Sequence, residues 1–290
     1  MDAHVCGVSR CLFHFYRKKN RKEDKMAKIG FIGMGNMGYA ILKGLLAYIP
    51  KEEVTFSEVN RERRLWAEEQ TGVCAAESGK DCAEKSKYLI LAVKPQYMDQ
   101  VMEELAPVIK KEQIIISIAA GIDTRYLKGK LGEDKRIVRS MPNTPALVGE
   151  GMSGVCMEES QFTEEEKLEI GKIFNSFGKM KIVPEKLIDA VGCVSGCSPA
   201  YVYMFIEALA DGAVKYGLPR KDAYEMAAQA VFGSAKMVLE TGMHPGELKD
   251  MVCSPGGTTI EGVSALEECG FRSAIIKACD ASYLKNSRLK

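Results

Sequence analysis

The residues best suited to chemistry begin with Gly33-Met34-Gly35-Asn36-Met37-Gly38. This is GxGxxG placed after a short apolar run, KIGFI, and before a helical pattern, the context in which that spacing has meaning. Gly33 permits a tight turn, Gly35 lets backbone approach a pyrophosphate, and Gly38 lets helix and strand pack closely. The helix start then offers unpaired N–H groups to phosphate. Glu58 closes the second apolar run, where an acid accepts hydrogen bonds from ribose hydroxyls and favours NAD. Asn60, Arg61, Arg63 and Arg64 follow at once, and arginines there suit a 2′-phosphate, so both cofactors stay open. Lys94 stands at the carboxyl end of a third run, where it can meet a phosphate, a carboxylate or only solvent. Ala119, Ala120 and Gly121 leave room for a flat ring, or form a tight turn.

A second constellation is Ser254-Pro255-Gly256-Gly257-Thr258-Thr259-Ile260-Glu261. Thr258 and Glu261 have capping-box spacing, which predicts Thr258 as N-cap and Thr259 as the first helical residue. The two glycines let backbone come close to a ligand. Free N–H groups at that helix start would bind a carboxylate, with the Thr259 hydroxyl beside it.

Alternating elements must position these residues. KIGFIG, VTFSE, YLILAVKP, IIISIAAG, residues 136–139 and KMKIVP read as strands. Helical patterns at 37–48, 61–70, 98–109 and 163–177 lie between them, the last with Thr163 and Glu166 in capping-box spacing. Strands alternating with helices predict an α/β fold, a Rossmann-type doubly wound and mainly parallel sheet. The C-terminal part reads as all helix. Ser198 and Pro199 suit the N-cap and first turn of a helix ending at Gly217, with further helices at 221–240, 246–252, 259–269 and from 271. The helix after Pro199 is apolar on nearly every face, so burial against another subunit is expected. The expected domains are a dinucleotide-binding domain at 26–187 and a helical dimerisation and substrate domain at 188–290.

Composition bounds the rest. Hydrophobic residues make up 46% and charged residues 27% of 290, an ordinary globular balance. The net charge of +1 gives no field to draw in nucleic acid or an anionic membrane. No apolar run reaches the roughly 18 residues of a membrane span. There are ten cysteines but no CxxC, and the only histidines are His4, His14 and His244, so no metal site is expected. Reduced thiols in a cytoplasmic protein are the better reading. Residues 1–25 lack helical or strand period and are read as a non-native or disordered extension. The residues Arg21-Lys22-Glu23-Asp24-Lys25 can be encoded by a sequence containing AAGGAGG, so the native chain is expected to start at Met26.

The motifs FIGMGNMG, AVKP, SIAAG, MPNTPALVGEGM, VGCVSGCSPAYVYMFIEALADGAV, GLPR and HPGELKDMVCSPGGTT, in this order, resemble those of pyrroline-5-carboxylate reductases over residues 26–290. The resemblance implies reduction of 1-pyrroline-5-carboxylate to L-proline by NADPH or NADH, in homodimers often assembled into rings. It implies cofactor contacts at Ile32, Gly33, Met34, Gly35, Asn36, Met37, Glu58, Asn60, Ala92, Val93, Lys94, Pro95, Ile118, Ala119 and Ala120. It implies substrate contacts at Gly257, Thr258, Thr259 and Glu185, with Thr259 as the catalytic side chain at the ring nitrogen. The chain departs from the family pattern at Gly79, Glu58 and Cys197. Glu58 replaces a small hydroxyl residue common in NADPH-preferring members, which weakens the case for NADPH. One alternative, a β-hydroxyacid dehydrogenase, needs a lysine projecting from the first long C-terminal helix, whose only lysine, Lys215, is at its far end. The other, a non-catalytic dinucleotide-binding assembly protein, has no use for the SPGGTT loop.

Overall fold

The computed structural model describes residues 27–287, so the extension and the expected start at Met26 lie outside the described residues. Apolar runs rich in β-branched residues form strands β1 (Ala27–Ile32), β2 (Val54–Ser57), β3 (Ser86–Leu91) and β4 (Ile114–Ser117). Strands β5 (Arg136–Met141), β6 (Gly151–Met157) and β7 (Gly178–Ile182) complete a sheet in the order β2-β1-β3-β4-β5-β6-β7. Pairs β1–β2, β1–β3, β3–β4 and β6–β7 are parallel, with Phe31 opposite both Phe56 and Ile90. β1 has β2 on one side and β3 on the other. Strand order therefore reverses at β1, and ligands of open α/β sheets bind beyond the strand ends at such a point.

The described residues fall into two compact units. The first runs to Ser117 and adds Thr124–Val138; the second comprises Ile118–Asp123 and the chain from Arg139. By compactness the division thus falls inside β5, while the change from sheet to helix comes after β7.

In the first unit, helices α1 (Asn36–Leu45), α2 (Arg61–Thr71), α3 (Gly79–Glu84), α4 (Met98–Leu105) and α5 (Thr124–Leu131) connect the strands. The Asn60 side chain caps α2 by accepting from the Arg63 N–H at 2.9 Å, and Gly72 ends it in the left-handed conformation. Ile29, Phe31, Phe56, Tyr88 and Leu89–Leu91 form the buried centre. Sequence pattern alone does not mark α3, α5 or β6. The first two are only six and eight residues long, and β6 (GMSGVCM) carries glycines that mimic a loop.

In the second unit, α6 (Glu164–Asn175) carries the expected capping box. Thr163 Oγ1 accepts from the Glu166 N–H at 3.2 Å, and Glu166 Oε2 accepts from the Thr163 N–H at 3.1 Å. Beyond β7 come α7 (Ile188–Val191), α8 (Ser198–Lys215), α9 (Arg220–Thr241), α10 (Pro245–Val252), α11 (Thr258–Glu268) and α12 (Phe271–Ser287).

Here the structure corrects the sequence reading. Ser198 and Pro199 do not start a helix. The chain is helical without a break over Glu185–Lys215, with a π-helical stretch, Gly192–Cys197, just before the proline. Proline lacks an N–H and crowds the carbonyl four residues back, and a widened π turn relieves both faults. The Ser198 hydroxyl turns back to the Val194 carbonyl instead of capping. This 31-residue helix is, by length and composition alone, long and apolar enough to cross a membrane, which the sequence reading overlooked by breaking it at Pro199. Within the single chain its apolar residues Val202, Tyr203, Met204 and Leu209 are exposed, and Ala210 is the only buried residue of α8.

Candidate active site

In the first unit the glycine-rich loop is shaped by close approach. Gly33 has φ +92°, and a Cβ there would lie 2.7 Å from the Ala92 carbonyl oxygen. The Gly33 N–H donates to Ser57 O at 2.8 Å, and the Ala92 N–H donates to Ile32 O at 2.8 Å. Gly38 has only 2.8 Å between a notional Cβ and Gly33 O, so helix and loop touch backbone to backbone. Around Gly35, by contrast, nothing lies within 4 Å of that position. Gly35 is the N-cap of α1, makes no side-chain cap, and is followed by a first turn without an acid. The loop therefore presents bare N–H groups and open space to an anion, as a pyrophosphate requires.

Glu58 and Asn60 stand at the expected strand end. Glu58 Oε2 accepts from the Met34 N–H and Oε1 from the Asn60 N–H, both at 2.8 Å. Arg63 Nε donates to Met34 O at 2.6 Å. Its guanidinium lies 4.1 Å from the Trp66 ring centre and 5.6 Å from that of Tyr39. The sequence reading grouped Arg63 with its neighbours, because residue type alone cannot say which arginine faces the loop. Ala92 and Val93 border Gly33, while Lys94 is exposed just before Pro95.

The second unit holds Ile118, Ala119 and Ala120, of which Ala119 is buried, and the loop at 254–259. Gly256 has φ +66°, a conformation that favours glycine. The Gly257 N–H closes a turn onto Ser254 O at 3.0 Å, and a Cβ on Gly257 would strike the Ser254 hydroxyl. α11 begins one residue earlier than its spacing predicts. Gly257 is the N-cap without a side-chain bond, and the expected Thr258–Glu261 capping box does not form. The Ser254–Gly257 turn fixes the extended residue before the helix, so Thr258 and Thr259 become the first and second helical residues. Both are exposed with their N–H groups in the unpaired first turn.

Glu185 is tied elsewhere in this unit. Buried Arg139 contacts Glu185 Oε1 and Asp189 Oδ1, each at 3.3 Å, and Asn286 Nδ2 donates to Asp189 Oδ1 at 2.9 Å. His244 caps α10, its Nδ1 accepting from the Gly246 N–H at 3.0 Å, which occupies the one histidine of the described residues.

A doubly wound sheet with an open glycine-rich loop, followed by a helical region, defines the dinucleotide-binding class of fold. Comparison with known proteins narrows this. Residues 185–289 match the model for pyrroline-5-carboxylate reductase dimerisation, and residues 28–121 match that for NADP oxidoreductase coenzyme F420-dependent. A pyrroline-5-carboxylate reductase of Escherichia coli is 48% identical over 90% of this chain and 98% of its own. The reductase of Coxiella burnetii superposes with a TM-score of 0.84 at 32% identity, over 91% of this chain and 99% of its own. That of Plasmodium falciparum, with NADP bound, superposes at 0.82 and 32%, over 91% and 98%. This chain belongs to the pyrroline-5-carboxylate reductase family.

Proposed function

We propose that this protein reduces 1-pyrroline-5-carboxylate to L-proline with NADPH or NADH. The observation that carries this is the family match joined to an intact Ser254–Thr259 turn opening α11. Gly33–Met37 would hold the pyrophosphate, Glu58 and Asn60 the adenosine ribose, and Ala92 to Pro95 and Ile118 to Ala120 the remainder. When bound, the nicotinamide supplies the hydride. The N–H groups of Thr258 and Thr259 bind the substrate carboxylate at the helix start, with Gly257 giving backbone access. The Thr259 hydroxyl meets the ring nitrogen. With His244 engaged as a cap, no imidazole acid is at hand among the described residues, so substrate enters as the protonated imine or takes its proton through Thr259 and water. The chain's contribution is orientation and charge binding rather than acid catalysis. Glu185, paired with Arg139, acts on substrate through the helix it begins.

The protein is a homo-oligomer acting on a small molecule. We infer further that its dimers assemble into rings, that it works in the cytoplasm, and that neither membrane nor nucleic acid is a partner. The near-zero net charge supports the last of these, since it gives no field to draw in either polyanion. The expected domains at 26–187 and 188–290 follow the change of architecture after β7. The test is steady oxidation of NADPH or NADH on adding 1-pyrroline-5-carboxylate, with proline as the product. A folded, oligomeric preparation that oxidises neither cofactor removes the catalytic reading and leaves the assembly protein.

A further inference from the structure

We propose that Arg63 is a positioning residue for the cofactor loop, acting through the carbonyl of Met34. The inference rests on reading the loop Gly33–Met37 as the pyrophosphate site. Met34 is flanked by Gly33 and Gly35, residues with the greatest backbone freedom, so the loop would lose much entropy on ordering. Its two peptide groups are nevertheless gripped from opposite ends. Glu58 accepts the Met34 N–H, and Arg63 Nε donates to the Met34 carbonyl at 2.6 Å. A trans peptide is planar, with N–H and C=O opposed. Pinning the Met34 carbonyl therefore fixes the direction of the Gly35 N–H, the donor beside the open space that the loop leaves.

The brace is itself held. Arg63 lies against Trp66, on its own helix α2, and Tyr39, on α1, whose rings are 4.5 Å apart. The stack restrains a long side chain that would otherwise cost rotamer entropy to order. Arg63 thus links the first turn of α2 to the loop that opens α1, a contact across 29 positions of sequence. Its effect is on the pyrophosphate end, which NADH and NADPH share, so it is indifferent to the 2′-phosphate.

That indifference distinguishes a brace from a phosphate ligand. The protein has a single tryptophan, Trp66, which lies beside the Arg63 guanidinium and serves as the fluorescence probe of binding. Titrating wild type, Arg63→Met and Arg63→Lys with NADH and with NADPH separates the roles. Methionine keeps an apolar stem against Trp66 without a donor; lysine keeps a donor without the planar fork. Arg63→Met is expected to raise both dissociation constants by about tenfold, the worth of a hydrogen bond from a charged donor. Their ratio stays within about twofold, kcat at saturating cofactor is retained, and Arg63→Lys recovers part of the loss. Unchanged constants for both cofactors overturn the inference, as does a rise confined to NADPH, which makes Arg63 a 2′-phosphate ligand. Should Arg63→Met fail to fold, judged by thermal melting, Arg63→Lys decides by the same ratio. Wild type that binds neither cofactor removes the loop assignment, and the inference with it.

Discussion

Thr258 and Thr259 are the first and second residues of α11, and different duties are proposed for their side chains. Thr259 is the side chain proposed for the ring nitrogen, and a hydrogen bond to a charged group is worth about 1.5–3 kcal/mol. A bond that strengthens as charge shifts in the transition state acts on turnover rather than affinity alone. Thr259→Ala is therefore expected to lower kcat by about one to two orders of magnitude in a folded enzyme. Thr258 makes no cap, because Gly257 occupies the N-cap, so Thr258→Ala should change stability by less than about 0.5 kcal/mol. Paired kinetics and melting of the two variants check both statements; a larger kcat loss at Thr258 reverses the roles. Glu58 is the residue proposed to set the cofactor choice. Its carboxylate, held by two backbone N–H groups, is a like charge to a 2′-phosphate. Glu58→Ser also loosens the loop, but that loss falls on both cofactors. The KM ratio isolates the charge, and it should move in favour of NADPH. A wild type that strongly prefers NADPH, with an unchanged ratio in the variant, would falsify the role given to Glu58.

One buried contact between elements of the first unit titrates far from neutrality. Cys82 on α3 donates its thiol to Phe31 O of β1 at 3.4 Å. Burial, the dominant cause, pushes that thiol from 9.0 up to about 12. The folded state thus holds the proton more tightly than the unfolded chain. The stability this lends is complete below pH 9.0 and is lost as pH rises toward about 12. Cys82→Ala should flatten the fall in melting temperature over that alkaline range, and an unchanged slope would show that other groups govern it. In the second unit the start of α6 rests on the reciprocal Thr163–Glu166 bonds. Thr163→Ala should cost about 1 kcal/mol in denaturant midpoints. No loss would mean that packing of Ile170, Ile173 and Phe174, all buried, holds the helix start without its cap.

At the scale of the whole molecule the exposed apolar surface of the second unit decides the form. Tyr203, Met204, Phe232, Leu239 and Ile276 are all exposed on the single chain. Exposed large apolar side chains gathered in one region of the chain point to an interface, and these lie within the residues matched as the family's dimerisation region. A second copy is expected to cover the continuous helix at 185–215. Sedimentation at assay concentrations should find a dimer or a larger assembly. An active monomer would show that the helices are stable in water on every face.

What the sequence determined by itself is local. Glycine spacing marked the tight loop between β1 and α1, because Gly33 and Gly38 stand where a Cβ has no room. Gly72 and the Thr163–Glu166 pair ended and began helices through neighbours a few residues away. Apolar runs identified β1, β3 and β4, which are buried along nearly their whole length, since a strand covered on both faces needs them. Tertiary structure decided where local signals compete. Ser198 and Pro199 carry a helix-start signature, yet a π turn carried the helix through it. Thr258 and Glu261 have capping-box spacing, yet the turn of Gly257 onto Ser254 moved the start by one residue. Among the arginines after β2, only the fold selected Arg63, because its partner, the Met34 carbonyl, is brought to it by the parallel pairing of β1 with β2. Spacing along the chain encodes contacts a few residues apart; which distant group a side chain reaches is set when the sheet assembles.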